Sequence, residues 1–267
     1  MFAEQSSVGE FWGEHALDVN QSGFWQIGAL KLWAKREDQQ WHVAYHMDGN
    51  AEAVSRGVPA SSSEFSPPED AETLRLVYGR SPEVIRLSAA LADRPVVVRP
   101  ETPLRLMPRE QIRLYVCTPL WVRVEFPGSS CEVWNLPAVR LSDTWFGQST
   151  RMGELCYEGR VVAELNPDQL KRSPFDAVTV VMVDNRDSKP LALDRISLPL
   201  PHLALLREPS GWFWTQAVHV KRAKDGGIDV RLNGKLADIG RRLEPIAEPR
   251  KKIERSSARR ALSVIMG

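Results

Sequence analysis

The sequence is short of the residues and motifs from which a function is most easily read. Its 267 residues include only three cysteines, Cys117, Cys131 and Cys156, and no Cys-x-x-Cys pair. So sparse a set excludes a disulfide framework and a cysteine-rich zinc or redox centre. The phosphate-binding loop, the nucleophile elbow, Gly-x-Gly-x-x-Gly and His-Glu-x-x-His are also missing. We therefore expect no cofactor, and most enzyme classes that one sequence can identify are removed.

Neither sign of charge dominates, and long apolar runs are absent. The chain has 35 basic and 34 acidic side chains, a formal net charge of +1. A general attraction to nucleic acid is not expected from such a balance, and we predict no specific nucleic-acid partner. The N-terminus carries acids where a signal peptide is basic, and no run reaches the length of a membrane span. These features predict a cytoplasmic protein.

What the sequence does contain is a repeated alternation of apolar and polar residues. The segments 40–47, 111–117 and 121–126 alternate with a period of two, and 178–183 (VTVVMV) is apolar on both faces. Short runs rich in β-branched and aromatic residues predict strands. Nineteen prolines and turn segments such as 185–190 separate them. The pattern predicts a mainly β protein with one or two antiparallel sandwich-like units.

The domain organisation follows from breaks in composition. We predict a β region over 1–48, a flexible linker or long loop over the Ser-, Pro- and Gly-rich 49–72, and a main β-sandwich domain over 73–240. Residues 82–93 are predicted to form a helix, with a strand as the alternative. The segment 241–267 is predicted to form a basic amphipathic helix, because apolar residues recur at helical spacing and eight basic residues face three acidic ones between Arg241 and Arg260.

Tryptophan, histidine and cysteine are the residue types that could form a site. Nine tryptophans (12, 25, 33, 41, 121, 134, 145, 212 and 214) either stack on a sugar or other ligand or fill a core, and the core is favoured. His42 and His46 lie too far apart on one strand to chelate an ion, so no metal site is predicted. Cys156 as a nucleophile needs a base close in space, and a buried, unreactive thiol is the favoured interpretation.

The segment Leu141–Gly147 (LSDTWFG) is the best candidate for a ligand site. It reads either as an aromatic loop presented to a ligand or as a tight corner whose Trp145 packs into the core, and the second is favoured. Charged neighbours, including Asp194 and Arg195, could form an ion network that is usually structural. The ligand-binding candidates are Trp145, Phe146, Arg140, Asp143, Glu154 and Arg160.

The basic tail is the best candidate for a partner surface. Such a helix docks on a partner protein or an anionic membrane surface, or packs on its own domain with a solvated outer face. The partner-binding candidates are Arg250, Lys251, Lys252, Arg255, Arg259, Arg260, Leu262 and Ile265.

Residues 96–222 resemble an uncharacterised family of bacterial and archaeal proteins that contain a domain of unknown function. The similarity lies in Leu-Ser-x-Thr-Trp-Phe-Gly at 141–147, Gly-Glu-Leu-Cys-Tyr at 153–157 and Pro-Leu-x-Leu-x-Arg at 190–195. The resemblance implies no activity and no catalytic residue. It carries an association with genes beside small mechanosensitive channels, which implies a membrane channel as the partner.

The function expected from all this is that of a non-catalytic cytosolic interaction or regulatory protein, acting through its sheet surface or its tail on a membrane-associated partner. A tryptophan-rich module that binds a small ligand or carbohydrate is the main alternative. An enzyme with a Cys, His and Glu site assembled in space is the third. Chemistry alone leaves these three open.

Overall fold

The chain folds into two compact units, one formed by residues 1–90 and 120–140 and the other by 91–119 and 141–267. The structure is a computed structural model that describes residues 11–48, 65–100, 102–128, 132–149, 151–158, 163–224, 228–232 and 242–252. The backbone passes from one unit to the other three times, so neither unit is a continuous stretch of sequence.

The first unit contains two four-stranded antiparallel sheets. One has the order β1-β6-β10-β11 and the other β2-β3-β4-β5. The strands are β1 Gly13–Ala16, β2 Ser22–Ile27, β3 Leu30–Glu37, β4 Gln40–Met47, β5 Glu72–Val77, β6 Val84–Ala90, β10 Trp121–Glu125 and β11 Glu132–Pro137. The predicted strands at 40–47 and 121–126 are confirmed by β4 and β10.

Aromatic side chains join the two sheets of the first unit. The ring of Trp41 on β4 lies 4.9 Å, centroid to centroid, from Phe126, which follows β10. Tyr45 on the same strand lies 4.9 Å from Trp134 on β11. Trp41 is fully buried, and its indole N–H donates to the carbonyl of Pro82 at 3.0 Å. Apolar positions at every second residue of β4 therefore face the other sheet, as the period of two requires.

Two sequence expectations fall in the first unit. Within residues 82–93, Val84–Ala90 form the strand β6 and not a helix, because Ile85, Leu87 and Ala89 alternate inward while the strand pairs with β1 and β10. Tertiary pairing overrides the helical propensity of this Ala- and Leu-rich segment. The 49–72 segment connects β4 to β5, which pair with each other, and its residues 49–64 lie outside the described part of the chain.

The second unit is built from fourteen described strands in three sheets. Their orders are β12-β13-β7-β17, β16-β8, and an eight-stranded sheet β14-β9-β15-β19-β18-β22 in which β20 pairs with β15 and β21 with β20. The strands are β7 Val96–Val98, β8 Leu104–Leu106, β9 Gln111–Pro119, β12 Ser142–Ser149, β13 Met152–Glu158, β14 Ala163–Glu164, β15 Asp176–Asn185, β16 Leu191–Leu193, β17 Ile196–Leu198, β18 Leu205–Arg207, β19 Phe213–Thr215, β20 Val218–Arg222, β21 Ile228–Leu232 and β22 Glu244–Ala247.

The strand β15 is the centre of the large sheet. Its residues 177–181 are all buried, which confirms that the doubly apolar VTVVMV segment is a central strand. The strand ends at Asn185, whose buried amide nitrogen donates to the carbonyls of Leu106, Met107 and Lys189 at 2.9–3.1 Å. These bonds fix the connection at 186–190, which the turn-forming residues predicted.

The protein is mainly β, as expected, and most of its strand pairs are antiparallel. The exceptions in the described residues are β15 with β19 and β20, and β13 with β7, which run parallel. Two short 3₁₀ helices lie at Pro167–Gln169 and Leu200–His202. The strands β20 and β21 pair antiparallel on either side of residues 225–227, which lie outside the described ranges. The helix predicted over 241–267 is not confirmed: Glu244–Ala247 form β22 because they pair with β18, residues 248–252 are not helical, and 253–267 lie outside the described residues.

Candidate functional site

The two motifs that the sequence singled out form one antiparallel hairpin. Ser142–Ser149 is β12 and Met152–Glu158 is β13, and Trp145 lies directly opposite Leu155. The segment 141–147 is therefore a strand and not a tight corner. Ser142, Asp143 and Thr144 begin this strand because the cross-strand ladder with β13 satisfies the backbone groups that a turn would otherwise pair.

The inner face of the hairpin is core. Phe146 and Cys156 are buried and form a cluster with Val97 of β7. The guanidinium carbon of Arg195 lies 5.0 Å from the centre of the Phe146 ring, a distance at which a cation is attracted to the ring face. Phe146, and not Trp145, is thus the aromatic residue that anchors this segment.

The outer face of the hairpin is exposed. Trp145 and Leu155 each keep 44% of their accessible surface, and they sit side by side on neighbouring strands. The expectation that Trp145 packs into the core is wrong, because the strand turns alternate residues to opposite faces and Phe146 takes the inward position. Sequence reasoning missed Leu155 as a neighbour of Trp145, since pairing register is not visible in a single strand.

A polar rim borders this exposed pair. Asp143 accepts a hydrogen bond from Arg94 at 3.0 Å, and the Arg94 guanidinium lies 5.1 Å from the ring centre of Tyr157. The Tyr157 hydroxyl donates to Asp93 at 2.9 Å. Burial and this bond raise the pKa of Tyr157 to about 12, so it stays a neutral donor. Arg94 was not among the predicted residues. It forms the ion pair with Asp143, whereas the predicted ion network paired Asp143 with other charged residues.

The remaining predicted ligand-binding residues are scattered. Glu154 lies opposite Phe146 and is half-buried, and burial raises its pKa while the charge of Lys251 lowers it. Arg140 is exposed and belongs to the first unit, and Asp194 is exposed between β16 and β17. Arg160 lies outside the described residues. Only Asp143, Trp145, Phe146 and Glu154 therefore share one described element.

The buried cysteines have the properties of structural thiols. Burial, reinforced by the charge of Glu154, raises the pKa of Cys156 to about 11. Burial also raises the pKa of Cys117 to about 12, with Asp176 acting in the same direction. A thiol with such a pKa is protonated at neutral pH and is a poor nucleophile.

The histidines on β4 have separate acidic partners. The Nε2 atom of His42 lies 3.5 Å from Glu37, and that of His46 lies 3.1 Å from Asp70. Across the residues that the structure describes, no group of three or more His, Cys, Asp and Glu side chains is placed to hold a metal ion.

Four of the nine tryptophans are core residues, and four others are half-buried. All nine lie in the described ranges, and Trp25, Trp41, Trp121 and Trp214 are buried. Trp12, Trp33, Trp134 and Trp212 are half-buried, which leaves Trp145 as the single exposed tryptophan. A row of exposed indoles along one sheet, which a carbohydrate-binding face needs, is therefore not formed.

The start of the basic tail is attached to the second unit. Arg250 donates from Nε to the carbonyl of Leu91 at 2.7 Å. The backbone N–H of Lys251 donates to the carbonyl of Pro201 at 2.9 Å. Lys251 and Lys252 are both exposed. The other candidates, Arg255, Arg259, Arg260, Leu262 and Ile265, lie outside the described residues. No helix in the described ranges is both long enough and apolar enough to cross a membrane.

The chain belongs to a protein family of unknown function, DUF432, whose family model matches residues 11–267. The resemblance seen in residues 96–222 is thereby confirmed, and the family covers the first unit as well. No curated protein and no solved structure matches the chain.

Proposed function

We propose that this protein is a non-catalytic cytoplasmic interaction protein, and that the outer face of the β12–β13 hairpin binds its partner. The observation that carries the proposal is the exposed pair Trp145 and Leu155, placed directly opposite one another. Exposed large apolar side chains that touch are a feature of protein-binding surfaces, and tryptophan contributes more to such surfaces than most residues. The partner acts at the membrane or elsewhere in the cell.

The position of β12 in its sheet suggests how the partner binds. In the part of the chain that the structure describes, β12 is the end strand of the sheet and pairs with β13 alone. An end strand presents a row of backbone groups to which an extended peptide can add as a further strand. We infer that the partner contributes an extended apolar segment, whose backbone pairs with β12 and whose side chains pack on Trp145.

The surroundings of the pair support a binding surface of ordinary composition. The Arg94–Asp143 ion pair and the half-buried Tyr157 place polar groups beside the apolar pair. An apolar centre with a polar rim is the usual anatomy of a protein interface.

We also propose that the two sheets of the first unit pack as a sandwich, since Trp41 and Phe126 join them with their ring centroids 4.9 Å apart.

The experiment is affinity capture from native lysate with two matched variants. Trp145→Ser/Leu155→Ser removes the proposed surface, whereas Val77→Ser removes an exposed apolar side chain from another end strand, β5, where the opposite residue is the polar Gln40. We expect the wild type and Val77→Ser to capture the same protein, and the double variant to capture at least about tenfold less of it. Equal capture by the double variant would refute the proposed surface.

We propose the basic tail as a second surface that contacts a partner or a membrane. The structure determines where a deletion that tests this should begin. Because Arg250 and Lys251 are bonded to the second unit, a deletion should begin at residue 253. We expect deletion of 253–267 to leave the thermal unfolding of the body unchanged and to weaken binding to vesicles that contain anionic lipid. A lower melting temperature with unchanged vesicle binding would assign the tail a structural role.

A further inference from the structure

The last described residues of the chain lie beside the sheet that carries the hairpin. The backbone N–H of Lys251 donates to the carbonyl of Pro201 at 2.9 Å, and the carbonyl of Lys251 lies 3.1 Å from Nδ1 of His202. Pro201 and His202 belong to the 3₁₀ helix that follows β17, a strand of the β12-β13-β7-β17 sheet. The chain therefore leaves the described part of the structure next to this sheet.

A second attachment leads directly to the hairpin strand β13. Arg250 donates from Nε to the carbonyl of Leu91 at 2.7 Å. The segment that begins at Leu91 is bonded to β13 twice, because Tyr157 donates from its hydroxyl to Asp93 at 2.9 Å and from its backbone N–H to the carbonyl of Pro95 at 2.8 Å. A short series of hydrogen bonds thus fixes the start of the tail relative to the strand that carries Leu155.

Lys251 also acts on the hairpin through its charge. Burial raises the pKa of Glu154, and the charge of Lys251 opposes that shift. Glu154 directly precedes Leu155 on β13. Interactions between charges in water are largely screened beyond about 10 Å at ordinary ionic strength, so this effect agrees with the hydrogen bonds in placing the start of the tail near the hairpin.

The rest of the tail is long enough to reach the outer face of the hairpin. Fifteen residues, 253–267, follow the last described residue. A segment of that length spans up to about 50 Å when extended and about 22 Å as a helix. Both lengths are several times the spacing of about 4.8 Å between neighbouring strands such as β12 and β13. Reach therefore does not prevent the tail from covering Trp145 and Leu155.

The tail has the chemistry that this face requires. Its residues Ala258, Leu262 and Ile265 follow the spacing of one side of a helix, and Trp145 and Leu155 form an exposed apolar pair. Amphipathic segments of this kind dock through a few apolar anchors on an apolar surface. A tethered segment is present at an effective concentration of about millimolar order, so even a weak contact is occupied.

We propose that residues 253–267 cover the outer face of the β12–β13 hairpin when no partner is bound, with Leu262 and Ile265 packed on Trp145 and Leu155. The inference rests on the proposed function, because it concerns regulation of the same surface. The partner and the tail exclude one another, so the tail lowers the apparent affinity for the partner. An anionic membrane that binds the tail would uncover the hairpin.

The first test is photo-crosslinking within the purified full chain, with no partner present. A benzophenone amino acid at position 262 probes the proposed contact, and position 264, about 200° away around a helix, is the matched control. We expect position 262 to crosslink to the peptide that contains residues 142–158, and Trp145→Ser/Leu155→Ser to abolish that product. No product in 142–158, or equal yields from positions 262 and 264, would overturn the inference.

The second test is affinity capture from clarified native lysate. We expect the deletion of 253–267 and Leu262→Ser/Ile265→Ser each to capture at least about threefold more of the hairpin-dependent partner than the full chain, and Val264→Ser to capture as much as the full chain. Capture by the deletion that equals or falls below that of the full chain would overturn the regulatory role. A crosslink to the hairpin with no hairpin-dependent partner in any sample would support the tail contact and refute the proposed function.

Discussion

Adjacent residues of the β12–β13 hairpin lie on opposite faces and differ in burial. Phe146 and Cys156 point inward and are buried with Val97, while Trp145 and Leu155 point outward and are each 44% exposed. The residue types hardly differ, since both faces hold an aromatic and a smaller apolar side chain. The comparison teaches that composition alone does not separate core from surface in such a strand, whereas the direction of each side chain does.

The largest expected effect is on the inner face. Phe146→Ala should lower the free energy of unfolding by about 3–5 kcal/mol, because it removes a buried ring and leaves a cavity beside Val97 and Cys156. Urea denaturation followed by circular dichroism measures this loss. Phe146→Leu, which keeps most of the volume, should cost less than about 1.5 kcal/mol. If Phe146→Ala lowered the free energy of unfolding as little as Phe146→Leu does, the residues around the ring would have to close the cavity, and the site would not be tightly packed.

A glycine at the end of the hairpin gives the next effect. A Cβ atom at Gly153 would lie 2.6 Å from the carbonyl oxygen of Phe146 and 2.7 Å from the Trp145 indole nitrogen. Gly153→Ala should therefore cost about 1–3 kcal/mol, since the hairpin backbone must shift. Gly79→Ala is the control, because nothing lies within 4 Å of a Cβ there. Similar stabilities for the two variants would show that the strands are not this close.

Thiol reactivity tests whether Cys156 on the inner face, and Cys117 on β9, are as buried as the structure indicates. Because burial raises the pKa of Cys156 to about 11 and that of Cys117 to about 12, both thiols should stay protonated at pH 8 in the folded protein. We expect labelling by a disulfide reagent, located by mass spectrometry, to be slow at both sites and to accelerate in denaturant. Rapid labelling of Cys156 in the native protein would place it in a reactive site and revive the enzyme hypothesis.

The smallest effect on stability is expected on the outer face. Trp145→Ser and Leu155→Ser should each change the free energy of unfolding by no more than about 0.5 kcal/mol, because surface substitutions rarely cost more. Thermal and urea unfolding of the single variants measure this. A loss as large as that of Phe146→Ala would mean that Trp145 and Leu155 stabilise the fold and are not kept for binding.

The sequence predicted the strands better than their partners. Period-two alternation located β4, β9 and β10, which bury one face, and a run that is apolar on both faces located β15. The helix predicted over 82–93 is wrong, because Ala and Leu suit a helix or a strand and pairing with β1 and β10 determines the outcome. Local patterns record burial, but not which strand lies alongside.

The sites were harder to predict for the same reason. The motif segment was found, yet its corner interpretation placed Trp145 inside, and Leu155 became visible only through the register with β13.

The most direct test of the account is site-specific photo-crosslinking in living cells. A benzophenone amino acid placed at position 155 probes the outer hairpin face, and the same amino acid at position 77 probes the other exposed strand end. We predict a discrete crosslinked protein from position 155 that is absent from position 77 and lost when Trp145 is changed to Ser. Identical crosslinked products at both positions, or none at position 155, would contradict the assignment of this face as the partner-binding surface.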